Sequence, residues 1–591
     1  MNQIVHFLKT NTLFPLLLVV ALHFSNSAQA AGNSEVSYNL VLAGGGLKTC
    51  ASMSLSSCKT DSFSESAKRA NQFHFSSDSV DRFKQSQVFK KQNEIIKSRF
   101  NTILEHFYAS PITISGGVRE IAQEFEKHAA GFSGIDFVYD LPNDIYYALQ
   151  DFFETANERR EEVNLRENKS TKVAQIYMDF VTQANLKRAP SDEQLRIGVL
   201  TSSSRDAFAS ADFYQAAFEN AAKLAVPNVK VIVEWIPLDE SLSYAIQMQQ
   251  KGFDLCDQLD SLKAQRLVFN RHVAYPVKAK LQTDICKKPD SLIVTFQSLH
   301  GLFINGGDQS KTLNTLVTHD GKDTRWLSIV KTKLHQGTLI LGGTSAGTAV
   351  QAGGIFNYRQ IPMISSGDSE VAFIRGGFAL PPPPFGCEKD KNCPHGLLED
   401  DLTFNPRGGL GTFTLGITDT HFSERDREAR LALLNMQTKT RFGFGVDEAT
   451  ALFVAQGKND TQMKIVGEGG VFITDVQNGI FKTQAGKNQV VGLSHYLTDG
   501  DNILFDAQTQ EMLFTFSPGK QKVVEPTSIK APEKGEWRKQ VYLHCGTTSF
   551  HRWSDMKIAF LVNPSQETQF FATSNNPKHC SYVNLLFGME N

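Results

Sequence analysis

Thr338-Leu339-Ile340-Leu341-Gly342-Gly343-Thr344-Ser345-Ala346-Gly347-Thr348-Ala349-Val350 carries architecture and chemistry in one stretch. An apolar run enters a Gly-rich turn, and a run of small residues, where a helix can begin, leaves it. Gly343-Thr344-Ser345-Ala346-Gly347 is therefore a G-x-S-x-G elbow in strand-turn-helix context. Such a turn needs residues that do not clash beside the serine, and it lifts the Ser345 hydroxyl above a sheet. The same five-residue pattern also arises by chance in Gly-rich loops, so its neighbours must support it.

They do so on both sides. Apolar runs at 195–200, 229–236 and 301–305 alternate with an Ala-rich helical pattern at 212–224 and an amphipathic one at 326–335. This alternation predicts a mostly parallel sheet flanked by helices, because parallel strands covered on both faces read as near-continuous apolar runs. An earlier apolar run, 38–43, enters Gly44-Gly45-Gly46 and reads as a further buried strand ending in a tight turn. Between about 52 and 190 the texture is charged, Phe-rich and helically periodic, for example at 89–107 and 144–163, which predicts a helical insertion. Leu380-Pro381-Pro382-Pro383-Pro384 is too stiff to join a central strand, and strand character returns at 411–417. From about 462 onward, short strand-like runs separated by Gly, Asn and Asp predict a β-rich C-terminal appendage.

With 591 residues the chain exceeds the usual size of a single hydrophobic core. The expected organisation is a signal peptide at 1–30, a catalytic domain at 31–480 containing the insertion, and an extension at 481–591. The signal reading rests on Lys9, the apolar run 13–24 and Ala28-Gln29-Ala30. It implies a secreted or periplasmic protein with no integral membrane segment after cleavage; the alternative is an uncleaved anchor. Sixty basic and 62 acidic residues nearly cancel, so no global field attracts nucleic acid or anionic lipid. The eight cysteines form sequence-local couples, Cys50 with Cys58, Cys256 with Cys286, Cys387 with Cys393 and Cys545 with Cys580. In an oxidising compartment these are expected to be disulfides. No CxxC pair or Cys/His cluster with ligand spacing competes, so no metal is expected, and no cofactor.

A serine hydroxyl needs a base, and the base an acid. Asp419-Thr420-His421-Phe422 and Val446-Asp447-Glu448-Ala449-Thr450 supply them in the order Ser, His, Glu. An α/β-hydrolase places its acid before its histidine, so this order argues against a lipase-type esterase. Together with Phe303-Ile304-Asn305-Gly306-Gly307-Asp308-Gln309, and with Arg425, Arg427 and Arg430 spaced behind His421, these segments resemble the cyanophycinase family of serine peptidases. Its fold is similar to class I glutamine amidotransferase domains, a three-layer α/β arrangement. The resemblance covers roughly 38–50 and 195–480.

The resemblance implies Ser345 as nucleophile, His421 as general base and acid, and Glu448 as the group that orients the imidazole. It implies oxyanion donors near Gly307 and Ala346, and a substrate groove lined by Gln309, Asp419, Arg425, Arg427 and Arg430. The implied substrate is cyanophycin, a polymer of aspartate and arginine, cleaved to β-aspartyl-arginine dipeptides, and the implied assembly is a homodimer. Thr420 stands where the family usually has Gln, which loosens the substrate assignment. Two other readings share the residues: an exopeptidase removing aspartate from small peptides, and a catalytically silent binding protein on the same fold. A purely structural reading makes the arginines the solvated face of a helix starting near Ser423, with Ser423 and Asp426 as a capping box.

Overall fold

The computed structural model describes residues 36–591 except 66, 69, 156–159, 485 and 574–578. The segment expected to be a signal peptide lies outside the described residues. Two compact units emerge, one of residues 47–350 and 383–399, the other of residues up to 46, 351–382 and 400–591.

The first unit holds four parallel strands in the order Ile340–Thr344, Gly301–Ile304, Leu195–Leu200, Val231–Ile236. Three of the four are buried almost end to end, as the apolar runs require. Helices Ala211–Ala225 and Arg325–His335 form where amphipathic patterns were read, the second capped by Thr324, whose hydroxyl accepts from the Leu327 amide. The strand before the elbow runs two to three residues later than its apolar pattern, because Gly342 and Gly343 lie inside it. A Cβ on Gly342 would stand 2.7 Å from the Phe180 ring, so the strand must be bare there for helix Thr171–Leu186 to pack.

The insertion is mostly helical, with one antiparallel pair, Asn71–Phe75 and Ile112–Gly116, that periodicity did not reveal. The helix expected over 144–163 is Asn143–Phe153 and stops there. Phenylalanines make its core: Phe75 is fully buried, stacked on Phe153 at 4.1 Å between centroids and set against Phe107 and Phe125.

In the second unit, Leu40–Ala43 pairs antiparallel with Thr450–Gln456, and the ladder continues antiparallel through Asp460–Gly467, Asn502–Asp506 and Glu511–Thr515. The sheet character is thus mixed rather than uniformly parallel. A second sheet begins with the parallel pair Gly416–Thr420 and Phe442–Val446. It extends antiparallel through Gly470–Gln484, Lys487–Thr498, Cys580–Glu590, Ile558–Asn563 and His551–Asp555. Residue 480, where the sequence suggests a boundary, lies inside one of these strands. Strands from the β-rich C-terminal region therefore share a sheet with the strand that leads into His421. Helix Glu428–Thr438, buried along 428–435, packs in the same unit's core with Trp537 and Phe587.

All four expected disulfides are present: Cys50–Cys58, Cys256–Cys286, Cys387–Cys393 and Cys545–Cys580. No helix among the described residues is long and apolar enough to cross a membrane. Because Phe75 is the centre of the insertion's aromatic cluster, Phe75→Ala should cost about 3–5 kcal/mol. The check is the urea midpoint, which should fall with little change in the slope of the transition.

Candidate active site

Ser345, the candidate nucleophile, lies in the first unit. Ser345 leaves the buried strand Ile340–Thr344 with φ 53° and ψ −117°, a conformation that a residue with a Cβ adopts only under constraint. The constraint is local. The Thr348 and Ala349 amides both donate to the Ser345 carbonyl at 2.9 Å, and the Thr348 hydroxyl donates to the Gly343 carbonyl at 2.8 Å. Gly347 can be nothing larger, since a Cβ there would lie 2.3 Å from the Ile304 carbonyl oxygen.

The Gly306-Gly307 turn abuts this elbow. A Cβ on Gly306 would sit 3.2 Å from the Ser345 Cβ and 3.8 Å from its Oγ. Gly307 has φ 140° and no room for a side chain against the Ser203 carbonyl, to which the Asp308 amide donates at 2.8 Å. The Asn305 side chain pins the same loop, accepting from the Ser203 amide at 3.0 Å and donating to the Ser204 hydroxyl at 2.7 Å. The turn beside Ser345 is thus held by backbone contacts and by the Asn305 side chain. Gln309 opens the next helix, Gln309–Leu316, half-buried, and Asp308 caps it. Ala346 is buried directly after Ser345.

His421, the candidate base, lies in the second unit, immediately beyond strand Gly416–Thr420. His421, also in the left-handed region at φ 48°, donates its amide to the Gly44 carbonyl at 2.7 Å. Its Nδ1 lies 2.7 Å from Glu448 Oε1. Gly45 and Gly46 form the seat of this pair: a Cβ on Gly45 would be 2.4 Å from the imidazole Nε2, and one on Gly46 2.8 Å from the Glu448 carboxylate. The Gly44–Gly46 run, legible in the sequence only as a turn, is required by close approach to the candidate catalytic side chains. Burial lowers the pKa of His421, and nearby Arg425 and Arg427 lower it further against the opposing pull of Glu448. The ring is therefore neutral near pH 7, with Nδ1 donating to Glu448 and Nε2 holding its lone pair.

The arginines do not form a solvated helix face. Ser423–Arg425 is a single 3₁₀ turn, Asp426 is left-handed at φ 49°, and the α-helix starts only at Glu428, which corrects the capping-box reading. Asp419, 1% exposed, takes a bidentate pair from Arg430, Nε to Oδ2 at 2.8 Å and Nη2 to Oδ1 at 2.6 Å. Burial works against its charge, and Arg430 with Arg427 more than offsets that, so its carboxyl titrates below the ordinary range. Arg430 is itself buried and also donates to the Gly367 carbonyl. Asp419 and Arg430, both expected along the substrate groove, are thus each other's partners. Arg427 donates to the Thr420 carbonyl at 2.5 Å, while Arg425 is exposed and makes no ion pair among the described residues. Thr420 is itself buried.

A group of residues that the sequence did not single out stands behind the His-Glu pair. Glu424 Oε2 accepts the Glu448 amide at 2.9 Å. Asp447, with no exposure, accepts from the Ser423 amide, the Gly470 amide, the Tyr496 hydroxyl and Arg538 Nη1. Asp447 and Glu424 sit inside the motifs, yet nothing local marks their partners, since Tyr496 and Arg538 come from the C-terminal region. Among the described residues no three His, Cys, Asp or Glu side chains are grouped to hold a metal ion.

No family model matches the chain. Among curated proteins, the cyanophycinase of Synechococcus elongatus is 29% identical over 219 residues, 36% of this chain and 55% of that protein. The cyanophycinase of Trichormus variabilis is 29% identical over 181 residues, 31% and 47% of the two chains. This is a cyanophycinase-like chain. It spans about half the length of the curated relatives it matches. A solved structure, a peptidase from an acI-B1 Actinobacterium, aligns over 56% of the cyanophycinase-like chain and 91% of its own at 13% identity and a TM-score of 0.29.

The electrostatics of His421 can be checked directly. Arg425→Ala removes a positive charge that disfavours the imidazolium, so an NMR titration of the His421 ring should show its midpoint at higher pH than in the wild type. The difference should shrink with added salt, because Arg425 is exposed.

Proposed function

We propose that the chain is an exported serine peptidase of the cyanophycinase kind, in which Ser345, His421 and Glu448 act as one catalytic set. The observation that carries the reading is the His421–Glu448 pair, a neutral imidazole hydrogen-bonded at 2.7 Å to a carboxylate, in a chain whose Ser345 occupies a strained elbow. The similarity to cyanophycinases and the order of the four motifs support it. The parallel strands ending in that elbow also support a class I glutamine amidotransferase-like fold for the first unit, and four disulfides support export.

In this mechanism Ser345 Oγ attacks the carbonyl carbon of the scissile amide as its proton passes to His421 Nε2. The tetrahedral oxyanion is met by backbone amides at Gly307 and Ala346. His421 then protonates the departing amine, leaving an ester on Ser345. Water attacks that ester with His421 again as base, releasing the acid product and restoring the hydroxyl. Glu448 keeps Nδ1–H pointed at itself, so the lone pair stays on Nε2 and the imidazolium is stabilised once formed.

The substrate we infer is cyanophycin, with β-aspartyl-arginine dipeptide as product. Arg425, exposed and without an ion-pair partner among the described residues, is the cation best suited to an aspartyl carboxylate. Asp419 and Arg430 instead hold the base-bearing loop in shape by their mutual pairing. The buried Thr420 side chain has no free path to substrate, so its departure from Gln removes a contact without installing another.

The test is incubation of purified protein, and of its Ser345→Ala and His421→Ala variants, with insoluble cyanophycin. Released products are identified by mass spectrometry. Wild type should release aspartyl-arginine dipeptide, each variant should lose on the order of 10⁴-fold or more in kcat, and the double variant should be no worse than either single one. Release of free aspartate from small peptides only would move the reading to the exopeptidase. Full activity in Ser345→Ala would sink the mechanism.

A further inference from the structure

We infer that Arg538, in the C-terminal region beyond the segments that resemble the family, is a positioning residue for the His421–Glu448 pair. The inference rests on the proposed catalytic role of that pair. Arg538 lies on helix Glu536–Leu543 with its side chain 7% exposed, and its Nη1 reaches Asp447 Oδ2 at 2.7 Å and Glu424 Oε1 at 2.9 Å. Asp447 directly precedes Glu448, and Glu424 follows His421 by three positions, so one guanidinium holds a carboxylate from each of the two loops that carry the pair.

Those carboxylates cross-brace the loops. Glu424, on the His421 loop, accepts the Glu448 amide, while Asp447, on the Glu448 loop, accepts the Ser423 amide. Each bond fixes the partner's backbone next to a candidate catalytic side chain. Yet two carboxylates converge here in a buried space, where like charges repel. Burial and Asp447 together push Glu424 up to about 7, with Arg538 acting in the opposite direction. Remove the guanidinium and the brace either spreads apart or takes up a proton. In both cases the acceptor for the Glu448 amide is weakened, and with it the 2.7 Å bond to His421.

Two further contacts show that the C-terminal helix is keyed to this loop rather than resting nearby, and a third ties it to strand Cys580–Glu590. Gly535, at φ 89°, has space for no Cβ, which would stand 2.6 Å from the Ser423 carbonyl oxygen. The Glu536 amide donates to Asp426 Oδ1 at 2.6 Å. Trp537, 3% exposed, donates its indole N–H to the Tyr582 hydroxyl at 3.0 Å. The Cys545–Cys580 disulfide closes the segment just beyond the helix onto the strand Cys580–Glu590. The arrangement gives Arg538 one position, and that position is behind the base.

The experiment uses the full chain with Arg538→Met and Arg538→Lys. One readout is the downfield proton resonance of the His421 Nδ1–H bonded to Glu448, assigned by its loss in His421→Ala; the other is kcat and KM on a soluble aspartyl-arginine polymer. Arg538→Met should shift or broaden the resonance and lower kcat on the order of 10²-fold while KM stays within about twofold, as expected when a base is displaced without loss of substrate contacts. Arg538→Lys keeps the charge but not the planar fork, and should fall between. A folded Arg538→Met protein with unmoved resonance and wild-type kcat overturns the inference. Should the Met variant fail to fold, the Lys variant decides: an unmoved resonance with wild-type kcat overturns it, and an intermediate change supports it. If the wild type turns over no aspartyl substrate yet its resonance moves in Arg538→Met, the bracing stands and the proposed function falls.

Discussion

Asp447 is the constraint on which the part of the molecule that carries His421 and Glu448 depends. It is a carboxylate without access to water, and an isolated charge there would cost several kcal/mol. It is tolerated because two backbone amides, a tyrosine hydroxyl and a guanidinium all converge on it. Each donor belongs to a different part of the chain: the loop after His421, the first residue of strand Gly470–Gln484, strand Lys487–Thr498 and helix Glu536–Leu543. Satisfying one buried charge therefore ties four segments together, and the residue next to it in sequence is the one that receives the imidazole. Removing any one partner of such a group costs more than a surface contact would, because the others are left around an uncompensated charge.

Backbone strain marks the same places. Ser345, His421, Asp426 and Ala449 all lie in the left-handed region although each carries a Cβ. Such residues persist only where surrounding contacts over-determine them. At Ser345 the contacts are the short helical turn that follows and the glycine-thin approach to Ile304. At His421 and Ala449 they are bonds to the carbonyls of Gly44 and Gly45, so one glycine turn clamps both sides of the His-Glu pair. The glycines have different tasks in the two units. Gly347 admits a neighbouring carbonyl, whereas Gly45 and Gly46 admit the His421 and Glu448 side chains.

Much of this was legible in the sequence, and the failures share a cause. The parallel strands, the elbow, the cysteine couples and the positions of His421 and Glu448 are encoded locally, by apolar runs, spacing and turn residues. The helix expected over 144–163 was read too long, because periodicity says nothing about where tertiary packing ends a helix, and this one ends at Phe153. Strand Asn71–Phe75 was missed in a charged, aromatic-rich stretch whose alternation covers only five residues. The capping box at Ser423 failed because Asp426 is spent on the Glu536 amide, a partner more than a hundred positions away. The structural alternative that puts Arg427 and Arg430 on a solvated face fails for a similar reason: their countercharge, Asp419, sits on the preceding strand and is invisible to an i, i+4 rule.

That last point bears on what the cyanophycinase-like segment contains. The resemblance ends near residue 480, within a strand whose ladder continues into residues 487–498 and 580–590. A sheet cannot be cut along its hydrogen bonds without exposing an unpaired edge, so the β-rich region is part of the structural unit that presents His421. The charges lead to the same conclusion. Glu424 and Asp447 lie inside the motifs that resemble the family, but the cation that lets them coexist comes from outside it. In this chain the motifs around His421 and Glu448 and the C-terminal region form one electrostatic unit, and the boundary drawn by similarity passes through the middle of it.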